Sequence, residues 1–323
     1  FYPETHFLSR GDPSQKKGIA QPGYLQVLMR NDKATSDWNE SPPADWTRTS
    51  YRRRGLANWI TDTENGAGHL LARVVVNRVW HHHFGRGIVA TPNDFGLQGE
   101  LPTHPDLLDH LAQNLITNGW NLKSLHRDIL LSSTWLQSST PSSEKTALDP
   151  ENKFLSRFSS RRLEAEVIRD SILSAAGQLD PKMFCPVTLD QGQRRRIISF
   201  MIKRSRLVSM MQVFDQPEPL ASQGSRPSTT IAPQALLFMN NPQVVQWAHF
   251  LATTLDKKDP DIAIQQLYLR ALTREPTPTE LRDNRAFFDA QSASYSGQKN
   301  AHQLALADLC QILFSLNEFI YLP

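Results

Sequence analysis

The sequence predicts a mainly α protein, an irregular multi-helix fold with αα-hairpins, long loops and at most a small β element near residues 196–202. Three observations predict it. Apolar residues recur at spacings of three and four along several stretches, which is the helical period. Helix punctuation sits at the ends of those stretches, as in Thr277-Pro278-Thr279-Glu280 at a start and Phe84-Gly85 at a stop. The best strand pattern in the chain is Arg196-Ile197-Ile198-Ser199-Phe200-Met201-Ile202.

Residues 1–50 are rich in Pro, Gly, Ser and charge and read as an extended arm rather than a core element, with Tyr24, Leu25, Val27 and Leu28 as a short strand or anchor. Leu56, Trp59 and Ile60 mark a short helix. Leu70, Leu71, Val74, Val75, Val79 and Trp80 mark a longer one that stops at Phe84-Gly85. A loop over 85–104 leads to Thr103, the expected N-cap, with Pro105 and Asp106 in the first turn. The helix carrying Leu107, Leu108, Leu111 and Leu115 turns at Asn118-Gly119-Trp120-Asn121 into one carrying Leu122, Leu125, Ile129, Leu130 and Trp135. The pair is an αα-hairpin. Residues 139–153 read as a polar linker, and 160–177 as an amphipathic helix ending at Gly177. Further helices are expected over 207–214, 233–255 with a break at Asn240-Asn241-Pro242, 259–272, from Thr277, and 301–316. The expected core is built around 56–135 and 160–177, with the later helices packed on it.

The chain has 323 residues, 39% hydrophobic and 21% charged, which suffices for one large or two modest domains without a metal or disulfide scaffold. Its 35 basic and 32 acidic residues leave a net charge of +3, and no nucleic-acid motif is present, so nucleic acid is not an expected partner. No apolar run approaches the roughly 18 residues that span a bilayer. Cys185 and Cys310 form no C-x-x-C or C-x-x-C-H, so a cysteine zinc site and a c-type haem are absent from this segment. The two thiols are either free or joined across a long loop. Cys310 lies in an apolar helical pattern and reads as a buried free thiol. The opening Phe1-Tyr2-Pro3-Glu4 has neither a methionine nor signal-peptide architecture, so it is expected to be an internal start.

Two regions offer ligand chemistry. The first is His81-His82-His83, followed by Asp94 and His104. Imidazole is a common metal ligand, but adjacent helical residues point about 100° apart, so the triplet alone cannot close on one ion. His82 continues the row Leu71, Val75, Val79. One imidazole is expected to be buried and hydrogen-bonded at the helix end. Asn77 is expected to satisfy buried backbone, and Arg78 to bridge a carboxylate or loop carbonyls. The second region is Arg194-Arg195-Arg196 with Lys203-Arg204-Ser205-Arg206, six cations with no acid between Gln191 and Phe214. Such a segment attracts carboxylate, sulfate or phosphate. Asn77, Arg78, His82, His83, Asp94, His104, Arg204 and Arg206 are thus the candidate ligand-binding residues, with no metal assigned. Glu164 and Glu166 form a charged helix with Arg161, Arg162 and Arg169, and Glu166 is spaced for ion pairs with Arg162 and Arg169. Asp215, Glu218 and the long loop after them are candidates to line a cleft.

Several stretches occur in an order that resembles one family. They are Arg52-Arg53-Arg54-Gly55-Leu56, Asn77-Arg78-Val79-Trp80-His81-His82-His83-Phe84-Gly85-Arg86-Gly87, Thr91-Pro92-Asn93-Asp94-Phe95-Gly96, Pro102-Thr103-His104-Pro105, Gly119-Trp120-Asn121-Leu122-Lys123, Arg161-Arg162-Leu163-Glu164-Ala165-Glu166 and Ala232-Pro233-Gln234-Ala235-Leu236. Together they resemble the planctomycete PSD-one family, domain of unknown function fifteen fifty-three. The resemblance covers 51–323, with 1–50 as a connector and a sub-boundary near 139–155. It implies an extracytoplasmic place, periplasmic or at the cell surface, in a larger protein whose upstream cytochrome c-type domains carry haem c. It implies no cofactor within this segment and no established reaction. The functional expectation is a docking or ligand-binding module for an anionic polysaccharide or a partner domain. The alternative is a metal-assisted or electron-transfer-coupled enzyme acting on polysaccharide-derived substrates.

Overall fold

A computed structural model describes residues 4–30, 35–46, 48–184 and 186–322, so Cys185 lies outside the described residues. The chain divides into two compact units, Phe1–Phe158 and Ser159–Pro323. It is mainly helical, and its sheets are small antiparallel pairs.

The first unit opens with strands β1 (His6–Leu8) and β2 (Lys16–Ile19), paired antiparallel with His6 opposite Ile19. Helices α1 (Arg52–Thr61), α2 (Gly68–Phe84), α3 (Pro105–Thr117), α4 (Leu122–Leu130) and α5 (Ser143–Leu148) follow. The segment before α1 is not a bare arm. Tyr24 stacks on Trp59 at 5.3 Å, Trp38 is buried beside them, and the Trp38 indole donates to Asp62 at 2.8 Å. Aromatic area supplies a small core that the polar composition of residues 1–50 conceals.

α2 packs on α3 and α4. Its buried stripe is Ala72, Val76, Trp80 and Phe84, not the row through Leu71, Val75 and Val79. Gly85 ends the helix at φ +81°, where a side chain would be strained. Thr103 does not cap α3. His104 holds the N-cap position, and Thr103 donates its N–H to the Ile88 carbonyl. Asn121 caps α4 by accepting from the N–H groups of Lys123 and Ser124. α4 ends at Leu130, so Trp135 lies beyond it and packs on Phe84 and Phe158. The expected linker over 139–153 contains α5 and a turn in which Asp149 accepts from the N–H groups of Lys153 and Phe154.

The second unit runs through β3 (Arg161–Arg162), α6 (Ala165–Ala175), α7 (Ser209–Val213), α8 (Ala232–Asn240), α9 (Pro242–Thr254), α10 (Pro260–Leu272), α11 (Pro278–Ser294), α12 (Ala301–Ser315), α13 (Asn317–Ile320) and β4 (Tyr321–Leu322). The helix expected from 160 begins only at Ala165, because Arg161 and Arg162 pair with Leu322 and Tyr321. α6 packs on α7, α9 and α10, so it belongs to this unit's core. That core joins Ile168, Ile172, Trp247, Leu251, Leu267 and Phe314. Cys310 is buried within it as a free thiol.

Residues 196–202 do not form a strand. Ile197–Ser199 is a single 3₁₀ turn flanked by isolated bridges at Arg195 and Phe200. The reason is Arg169, which is 2% exposed and donates to the Gln193 and Arg195 carbonyls, while Asp170 accepts from the Ile197 N–H at 3.1 Å. Side chains of α6 thus take up backbone groups that a ladder would need.

Candidate functional site

The histidine end of α2 is held by its own bonds. Asn77 is fully buried, its Nδ2 donates to the Val89 carbonyl at 2.9 Å, and the Val89 N–H donates to its Oδ1 at 2.8 Å. It therefore pins the loop after α2 and presents nothing to solvent. Gly87 fits against it, since a Cβ there would stand 2.5 Å from the Val89 carbonyl and 2.7 Å from the Asn77 amide. Arg78 is exposed and makes one long contact of 3.4 Å with Asn93. His82 is exposed rather than part of an apolar row. His83 is half-buried, and its Nε2 lies 2.8 Å from His126 Nδ1 beneath the edge of Trp135. Asp94 accepts from the Gly96 N–H at 2.8 Å and shapes its own turn. His104 Nδ1 lies 3.0 Å from Thr103 Oγ1, with Phe154 beside its ring. Among the described residues, no group of three or more His, Cys, Asp or Glu side chains is placed to hold a metal ion.

The basic segment of the second unit borders a cavity of about 370 Å³. Ile197, Phe200, Met201, Val208 and Met211 give it an apolar lining, Lys203 and Arg206 bring positive charge, and Glu164 and Glu166 bring negative charge. The short turn Lys203-Arg204-Ser205-Arg206 is closed by the Arg206 N–H donating to the Lys203 carbonyl at 2.9 Å. Lys203, Arg204 and Arg206 are exposed, and none is in an ion pair with a described residue. Arg204 does not line the cavity.

The carboxylates are unequal. Glu166 is gripped by both guanidinium nitrogens of Arg226, at 2.6 and 3.0 Å. Burial alone would raise the Glu166 carboxyl, but the Arg226 hydrogen bonds, the Glu166 backbone N–H and the Arg226 charge together outweigh it and hold the group below the usual glutamate range. Glu164 is nearly half exposed and meets Arg226 only at 3.8 Å, which leaves its oxygens free to accept other hydrogen bonds. Burial lowers the Arg161 guanidinium, and the Glu164 charge partly offsets that. The helix-spaced pairings of Glu166 with Arg162 and Arg169 do not form. Arg162 donates to Asp215 at 2.6 Å, and Arg169 to Asp170 at 3.2 Å.

The family model PSD1, described as protein of unknown function (DUF1553), matches residues 52–288. The chain belongs to that family. None of the curated proteins and none of the solved structures matches it.

In this PSD1 domain the long loop after α7 is held by hydrogen bonds and reaches the cavity through Gln216, while Asp215 is turned to other partners. Asp215 accepts from the N–H and hydroxyl of Thr229 at 2.9 and 2.8 Å as well as from Arg162. Gln234, near the start of α8, donates to the Val213 and Thr229 carbonyls. Glu218 is exposed and is not part of the cavity lining. Sequence reasoning missed Arg226, which stands 60 residues from Glu166, because no local period links a loop arginine to a helix that far away. The available signal was the surplus of acid at Glu164 and Glu166, which called for a cation from elsewhere.

Proposed function

We propose that the chain is a ligand-binding module rather than an enzyme, acting outside the cytoplasm as part of a larger protein that carries cytochrome c-type domains. Its ligand is an acidic sugar residue of a polysaccharide, held in the cavity beside Lys203 and Arg206. The observation that carries this reading is the combination on one wall: two cations without a described partner, one half-free carboxylate, and an apolar floor. Each part suits a uronate. The cations take its carboxylate, Glu164 accepts from its hydroxyls, and Phe200 with Met201 packs on the C–H face of the ring. The family resemblance supports the location and the haem-bearing neighbour. The histidine region gives an enzyme less support, since His83, His104 and Asp94 are each engaged in local bonds.

Calorimetry with a homo-oligomer of galacturonate and its neutral galactose counterpart tests the reading. The acidic oligomer should bind, binding should weaken as salt rises, and a Lys203→Ala/Arg206→Ala variant should bind at least about tenfold less tightly. Equal binding of the neutral oligomer, or no binding of the acidic one at millimolar concentration, removes it.

A further inference from the structure

We propose that the second unit holds another ligand site, independent of the one above, which takes a small molecule with a flat apolar body and one carboxylate. It is a cavity of about 440 Å³ bordered by the end of α9, the start of α10 and the turn between α11 and α12. That volume lies in the range of small-molecule sites. Its apolar base is Phe288, Leu306 and Ala252, all buried. The His302 ring meets Phe288 edge-on at 5.5 Å and extends the aromatic wall to the rim.

The charge on the rim is asymmetric. Lys257 and Lys299 both border the cavity, both are exposed, and neither is in an ion pair with a described residue. The single carboxylate of the lining, Asp256, already accepts from the N–H groups of Lys258 and Asp259 at 2.8 and 2.7 Å. Both bonds fall on its Oδ1, and its one negative charge against two ammonium groups leaves the rim net positive. The positive end of the α12 dipole adds to them without defining the site.

The wall is also fixed in place. Gln291 Nε2 and the Tyr295 hydroxyl both donate to Asp308 Oδ2, at 2.7 and 2.9 Å, which ties the end of α11 to the middle of α12. The turn before Lys299 is closed by the Gln298 N–H donating to the Tyr295 carbonyl at 2.8 Å, and the turn carrying Lys299 by the Ala301 N–H donating to the Gln298 carbonyl at 3.3 Å. An apolar slot with a fixed wall therefore exists before any ligand arrives, which lowers the ordering cost of binding. Aromatic rings fit the slot, and the two ammonium groups select an anion over its neutral isostere.

Indole-3-acetate and indole-3-acetamide share a ring body and differ in charge, so calorimetry with the two separates the terms. Indole-3-acetate should bind the full chain, and the amide should bind at least about tenfold less tightly. A Lys257→Ala/Lys299→Ala variant changes only exposed side chains and should erase that difference. An Ala301→Trp variant, which fills the cavity from the start of α12, should abolish binding of both. Equal affinity for the two probes, an unchanged difference in the double lysine variant, or no binding at millimolar concentration overturns the proposal. The Lys203→Ala/Arg206→Ala variant should bind indole-3-acetate as the native chain does, which keeps this test separate from that of the acidic sugar.

Discussion

Asn77 and Val89 exchange two hydrogen bonds across the gap between α2 and the loop that follows it. A side-chain amide here does the work of a strand partner, satisfying the N–H and the C=O of one buried residue. Removing it leaves both without water and without a partner, at about 1–3 kcal/mol each. Asn77→Ala should therefore lower stability by about 2–4 kcal/mol, below the simple sum because the loop can relax. Gly87→Ala should act in the same direction by pushing the same pair apart. Urea unfolding read by tryptophan fluorescence checks both. A loss under about 0.5 kcal/mol, the range of ordinary surface changes, would show that the loop is held by other contacts.

Arg226 and Glu166 predict a different kind of change. Their bidentate pair, with Arg162 to Asp215 nearby, ties the loop over 215–231 to α6 and β3. Arg226→Ala should free the middle of that loop and raise its cleavage rate under limited proteolysis, with α8 onward intact. The folded carboxyl of Glu166 lies below its ordinary value of 4.5. Stability from the pair is thus fully present above about 4.5 and is lost as pH falls through the lower folded value. Arg226→Ala and Glu166→Gln should each flatten that acid limb. An unchanged digestion pattern in Arg226→Ala would show that Asp215 and Gln234 hold the loop alone.

How much of this was readable in advance depended on the range of the interaction. Thr277-Pro278-Thr279-Glu280 announces α11 because its capping box closes within four residues, with Glu280 N–H on Thr277 Oγ1 and Thr277 N–H on Glu280. Asn241-Pro242 separates α8 from α9 for the same local reason. The pairing of Arg161 with Leu322 carries no such sign, because each residue waits for a partner at the far end of the unit. The segment 196–202 has the composition of a strand but meets its neighbour only in an isolated bridge between Phe200 and Thr188, so Arg169 and Asp170 decide its shape. The candidate site divides along the same line. Lys203 and Arg206 stand out as unpaired charge in the sequence, whereas the apolar floor under them and the pairing of Glu166 with Arg226 require the packed chain.

Arg274 sits between two glutamates, Glu280 at 2.7 Å and Glu318 at 2.6 Å, and joins the start of α11 to α13. The Arg274 hydrogen bonds, with help from the Thr277 N–H, hold the Glu280 carboxyl down at about 2. Because the folded value is depressed, the stabilisation is complete above the ordinary value of 4.5 and disappears as pH falls toward 2. The group is about one-third exposed, so solvent screening trims the gain to that of a well-formed surface network. Glu280→Gln should reduce the drop in urea midpoint between pH 5 and pH 3 and should shorten protection of the α11 amides in hydrogen exchange. An identical pH dependence in the variant would remove Glu280 from the acid limb.

Cys310 supplies a probe of the second unit that needs no added label. Its thiol lies in the core of α12 with no exposure, and burial pushes its ionisation far above the ordinary thiol value. Only the thiolate attacks a disulfide reagent, so the native state is closed to it twice over, by access and by charge. In a Cys185→Ser background, reaction should wait for opening of the unit. Two kinds of opening give different signatures. If Cys310 is reached only when the helices around it separate, the labelling rate rises steeply with urea, with a slope close to that of equilibrium unfolding. If α12 frays alone, the rate is nearly independent of urea. Cys310 belongs to a core cluster that draws on α6, α9 and α10 as well as its own helix, and α12 packs on α8, α9, α10 and α11, so exposing it requires parting several elements at once. The steep dependence is the expected result, and a flat one would show that α12 moves as a separate element.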